Sequence, residues 1–70
     1  MYMPKGTVKS FNSFKGYGFI APEDGSAEVF VHISDVQRAG MASLIEGQKV
    51  QYEVLRGKNG KLAATNIKAL

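Results

Sequence analysis

Two short runs of this chain, Lys15-Gly16-Tyr17-Gly18-Phe19-Ile20 and Val29-Phe30-Val31-His32-Ile33, alternate in character with a period of two. That pattern constrains the fold more than anything else in the sequence, because successive side chains of a strand point to opposite faces. Lys15, Tyr17 and Phe19 share one face of the first run, against Gly16, Gly18 and Ile20 on the other. In the second run Phe30 and His32 oppose Val29, Val31 and Ile33. Residues 22–26 between them read PEDGS, and Asp24-Gly25 suits a tight link between antiparallel strands. The small and branched face builds a core. On the residues alone, the ring-bearing face divides evenly between a second buried layer and an exposed platform. An exposed row of rings beside lysine suits a flat, anionic ligand. Single-stranded nucleic acid is one, with π faces on its bases and charge on its backbone.

Size sharpens the argument. Seventy residues make one domain, residues 1–70, near the lower limit at which a lone hydrophobic core holds a fold. The chain has no cysteine, so disulfides and thiolate metal sites are excluded, and one histidine argues against structural zinc. Stability must come from a closed apolar centre, which small β-barrels achieve by leaving few open edges. A hydrophobic content of 44% fits a globular chain rather than a disordered one. Nine basic residues against six acidic give a net charge of +3, which favours anionic partners only weakly. No apolar stretch is long enough to span a bilayer, and no charged-then-apolar leader is present. The expectation is a soluble cytoplasmic protein without a membrane partner.

The rest of the chain extends the strand pattern. Residues 6–11 (GTVKSF) are β-prone, and Asn12-Ser13 reads as a turn. Residues 34–47 differ in character: Ser34 is placed to cap one helical turn over Asp35-Val36-Gln37, limited by Gly40, and Leu44 is expected to point inward. Residues 48–55 alternate again, with Val50, Tyr52 and Val54 on one face. Residues 56–61 (RGKNGK) form a basic, glycine-rich turn, and residues 62–67 make a last strand. Five strands, a long third connection and almost no helix predict an all-β, five-stranded antiparallel Greek-key barrel.

KGYGFI resembles the first ribonucleoprotein motif and VFVHI the second, in the order used by cold-shock domains. Gly6-Thr7-Val8-Lys9, Phe11-Asn12, Asp24-Gly25, Glu46-Gly47-Gln48 and Ala64-Thr65-Asn66-Ile67 also stand where bacterial cold-shock proteins carry similar residues. The resemblance spans essentially the whole chain. An RNA-recognition motif shares the opening signature but would need an aromatic where Pro22 stands, and two helices for which no periodicity exists. The resemblance implies an oligonucleotide-binding (OB-fold) barrel that takes single-stranded RNA or DNA across its first three strands. Position by position it implies stacking by Tyr17, Phe19 and Phe30, stacking and hydrogen bonding by His32, and phosphate pairing by Lys9 and Lys15. It implies no cofactor and no catalytic residue. It also implies roles in cold adaptation and in transcription or translation control, as an RNA chaperone. A monomer is expected, with strand exchange between copies open because residues 34–47 are long.

The chain departs from the family at three binding positions. Ser10 stands where a tryptophan is usual, and Ile33 and Met41 stand where rings are usual. Binding weaker than that of a typical relative is expected. Phe14 sits in the first turn where relatives carry small or polar residues. It either folds over the binding face as a replacement platform or rests on the barrel rim. Phe11 matches the family, but alternation from Val8 leaves its face open. Lys58 in the basic turn is a candidate phosphate contact, whereas Lys49, Lys61 and Lys68 read as solvated charges. A degenerate barrel used for protein contacts or dimerisation is the second reading. An enzyme is the third and weakest, since alternation scatters His32, Ser34 and Asp35.

Overall fold

The computed structural model describes residues 3–57 and 60–70. Five strands follow in order: β1 (Lys5–Asn12), β2 (Tyr17–Pro22), β3 (Val29–His32), β4 (Lys49–Arg56) and β5 (Leu62–Ala69), with one helix, α1 (Ile33–Arg38), after β3. They close into a barrel in the order β1-β2-β3-β5-β4. Four of the contacts are antiparallel, but β3 meets β5 in parallel, with Phe30 opposite Ala63. This qualifies the all-antiparallel expectation for a topological reason. Strand directions cannot alternate all the way round a ring of odd number, so one neighbouring pair must run the same way. Among the described residues no helix is long and apolar enough to cross a membrane.

Val8, Ile20, Val29, Val31, Val50, Tyr52, Ala64 and Ile67 fill the barrel, and Val36 from α1 and Leu44 complete the core, as expected for Leu44. Burying a Val, Leu or Ile contributes about 1.5–3 kcal/mol, so this cluster dominates the stability of so small a domain. Val54 does not join it. It is 36% exposed where β4 leaves the barrel, so the inward alternation of that strand ends at Tyr52.

Two irregularities break strict alternation. The β1–β2 register slips between Val8 and Ser10, giving β1 one extra residue there. Lys9 and Ser10 are both exposed as a result, and Phe11 turns back to pack against the core. Gly18, opposite Phe11, explains why that is possible: a Cβ there would lie 2.3 Å from Ser10 O and 2.6 Å from Phe11 Cδ1. The β4–β5 register slips between Gln51 and Glu53, with the extra residue on β5. Asn66 takes the left-handed conformation at this bulge (φ 49°), which asparagine tolerates better than most residues. Ala64 and Ile67, an odd number apart, can then both face inward.

The ends of the elements correct the sequence reading. The first turn runs to Gly16, because Asn12 Oδ1 accepts from the backbone N–H groups of Phe14 (2.9 Å) and Lys15 (3.0 Å). Gly16 then takes φ 85° and donates its N–H to Asn12 O at 2.8 Å. Lys15 and Gly16 therefore precede β2 instead of opening it. At the other end of the motif, His32 rather than Ser34 caps the helix, its Nδ1 accepting from Ser34 N–H at 3.1 Å. The helix starts two residues earlier than expected, and Ile33 belongs to α1 instead of β3.

Candidate nucleic-acid interface

Four rings gather on the outer face of β2 and β3. Tyr17 stands opposite His32 and Phe19 opposite Phe30 in the antiparallel register. Their small neighbours Gly18, Ile20, Val29 and Val31 are all buried on the inner side, so the barrel wall holds the rings outward. Tyr17 and Phe30 lie nearly parallel, with centroids 5.8 Å apart and planes at 21°. Phe19 stands edge-on to both, at 6.2 Å from Tyr17 and 6.0 Å from Phe30. His32 tilts at 38° to Phe30, 6.4 Å away. These distances fall within the range of favourable ring pairs. The rings brace one another while Tyr17 stays 37% exposed, and Phe19 and Phe30 are half-buried.

The surrounding positions behave less uniformly. Lys15 sits exposed on the turn beside Tyr17. Lys9 is exposed but ion-paired with Glu28, which precedes β3. Ser10, opposite Phe19, leaves a hollow of about 370 Å³ bordered by Lys15, Tyr17, Phe19 and Glu46. Ile33 is half-buried and donates its N–H to Gly16 O at 2.9 Å, so it packs under the first turn. Met41 rests against the core after Gly40. Both aliphatic replacements thus serve packing, and neither extends the ring face. Phe14 matches neither expectation for it: at 99% exposure it covers neither the ring face nor the rim. Lys58 lies outside the described residues.

Three charged residues, Arg56, Glu28 and Glu46, escaped the sequence reading, and a fourth, Lys61, is placed differently from it. Arg56 and Lys61 border a hollow of about 330 Å³ with Phe19 and Phe30, so Lys61 is more than a distant solvated charge. Glu28 shares that hollow, and Glu46 borders the one beside Ser10. Lys9 and Glu28 are 19 residues apart, and the pairing of β1, β2 and β3 that brings them near each other lies outside any local pattern. Away from the rings, Asp24 is held below the ordinary carboxylate range, first by the Ser26 hydroxyl and then by the Ser26 N–H, both donating to its carboxylate.

A closed five-stranded barrel with a braced row of rings on its outer wall defines the class of oligonucleotide-binding barrels. Residues 4–70 match the family model described as the "'Cold-shock' DNA-binding domain". The chain is 60% identical over 68 residues to cold shock protein CspA of Rhizobium meliloti (strain 1021), covering 96% of this chain and 99% of that protein. It is 53% identical over 68 residues to probable cold shock protein A of Mycobacterium tuberculosis, covering 97% and 100%. Cold shock-like protein CspE of Escherichia coli (strain K12) is 54% identical over 63 residues, covering 90% of this chain and 91% of that one. The chain belongs to the cold-shock domain family, a nucleic-acid-binding and not an enzymatic family.

Proposed function

We propose that this protein binds single-stranded RNA and DNA across β1, β2 and β3 and acts as an RNA chaperone in the cytoplasm. One observation carries the reading: Tyr17, Phe19, Phe30 and His32 lie together on an outer face with centroids 5.8–6.4 Å apart. Bases stack on such rings whatever their sequence, and each ring contributes about 1–3 kcal/mol. Lys9 and Lys15 flank the row and pair with phosphates. Phe14 adds a ring that gives up no packing if it turns onto a bound base, since it is 99% exposed. Ser10, Ile33 and Met41 offer no ring, which makes affinity lower than that of a relative with three more platforms. Binding that is broad, moderate and free of any energy source suits holding RNA unpaired while allowing release.

Fluorescence anisotropy with labelled heptathymidylate and mixed-sequence RNA, at two salt concentrations, tests the reading. Binding that weakens with salt and falls at least five-fold in Phe30→Ala is expected. An absence of binding to every strand would favour a barrel kept for protein contacts. Acceleration of a quenched RNA hairpin's opening tests the chaperone role separately.

A further inference from the structure

The hollow beside Ser10 differs from the ring face in its chemistry. It holds about 370 Å³ and is walled by Phe11, Tyr17 and Phe19. Ser10 leaves it open because its side chain is short and the bulge turns it outward. Lys15 and Glu46 border it, opposite in charge yet not bridged to each other. Among the described residues neither side chain has a hydrogen-bond or ion-pair partner. A ring-lined hollow with one acceptor and one donor at its border selects among bases.

A carboxylate only accepts hydrogen bonds, and an ammonium only donates. Guanine presents two adjacent donors, N1–H and the 2-amino group, next to the O6 acceptor. A carboxylate can take both donors in a bidentate pair while a lysine reaches O6 or N7. Adenine sets its N1 acceptor against the carboxylate. Thymine and uracil flank their single N–H with two carbonyls, and cytosine sets N3 beside its amino group. Only guanine offers both donors on one edge. Resting on the single-strand reading above, we propose that the Ser10 hollow is a guanine-reading subsite, with Glu46 accepting from N1–H and the 2-amino group, and Lys15 giving one of its three ammonium donors to O6 while another meets a phosphate.

The test uses the full chain and heptathymidylates whose central base is thymine, guanine, adenine or hypoxanthine, measured by anisotropy at fixed salt. The guanine strand should bind about ten-fold tighter than the adenine strand. Hypoxanthine, which lacks the 2-amino group, should fall between them. Within each variant the guanine-to-adenine ratio cancels general changes in affinity. Glu46→Gln should bring that ratio close to one, and Ser10→Trp, which fills the hollow, should do the same. Thymidylate binding with equal guanine and adenine affinities would overturn the subsite and leave the single-strand reading standing. A guanine preference that survives Glu46→Gln would also overturn it. Failure to bind any of the four strands would overturn both.

Discussion

Glu28 stands between Lys9 and any phosphate that Lys9 is to hold. Replacing it by glutamine keeps its shape and removes its charge. In the unbound protein the pair is exposed, with 61% of the lysine and 42% of the glutamate side chain reaching solvent. Exposed pairs contribute about 0–1 kcal/mol, so its loss should lower stability very little. That same small energy opposes binding, because Lys9 must leave Glu28 or share itself with a phosphate. Removing it frees up to about 1 kcal/mol, or roughly five-fold in affinity. Removing a negative charge from the edge of the hollow shared with Phe19, Phe30 and Arg56 adds to the effect within a Debye length of about 10 Å at 0.1 M salt. Glu28→Gln should therefore bind heptathymidylate about two- to ten-fold tighter at low salt. Its plot of log affinity against log salt should steepen by as much as about 0.7, one full phosphate contact on a single strand. Lys9→Ala should abolish most of the gain, so that the double variant matches Lys9→Ala alone. Equal or weaker binding by Glu28→Gln, with no change in slope, would refute the placement of Lys9 on the ligand backbone.

The other predictions concern fold and face together. Gly18→Ala places a methyl against Ser10 O and the Phe11 ring, and should destabilise the domain by about 2–3 kcal/mol, read as a lower urea midpoint. Phe11→Ala should rescue it only in part, because the Ser10 carbonyl remains in the way. Phe14→Ala should leave the thermal midpoint unchanged, as the ring covers nothing, while weakening oligonucleotide binding by about 1 kcal/mol or more if it turns onto a base. Asp24 is shifted downward by its Ser26 partners, so its contribution to stability is present above the ordinary carboxylate range and lost as pH falls through the lowered native value. Ser26→Ala should flatten that acid limb in circular-dichroism melts taken from above the ordinary carboxylate range to below it.

Periodicity located the strands and their faces because it follows directly from the pleat. Val29, Val31, Val50 and Ile20 could be assigned inward and the four rings outward from alternation and the family motifs together, whereas the same alternation misplaced Val54. Features that interrupt the period were illegible for the same reason. Phe11 turns inward only because β1 carries an extra residue at the bulge, and nothing in KSFN announces it. Ile67 faces the core because Asn66 adopts φ 49°, a conformation decided by the β4–β5 register. The start of β2 depended on whether Asn12's side chain would bind the backbone ahead of it, and that of α1 on a cap contributed by His32. Around the rings, the missed residues are charges from distant segments: Glu28, Glu46 and Arg56 reach the site through closure of the barrel, which no local window contains.

His32 fastens the ring face to the helix, and this limits what its imidazole can say to a ligand. Its Nδ1 is taken by the Ser34 N–H, with Ser34 Oγ also at 2.9 Å. A nitrogen that accepts carries no proton, so in the neutral ring the proton resides on Nε2. Outward, the side chain therefore speaks as a donor, suited to a base carbonyl or a phosphate oxygen and mute toward an amino group. It also cannot swing freely, since rotation of the ring uncaps α1 and loosens the segment that seats Val36 in the core. The proposed grip on the ligand and the integrity of the helix thus share one side chain. An alanine at position 32 would confound the two, whereas asparagine, a good capping residue without a ring, would separate them.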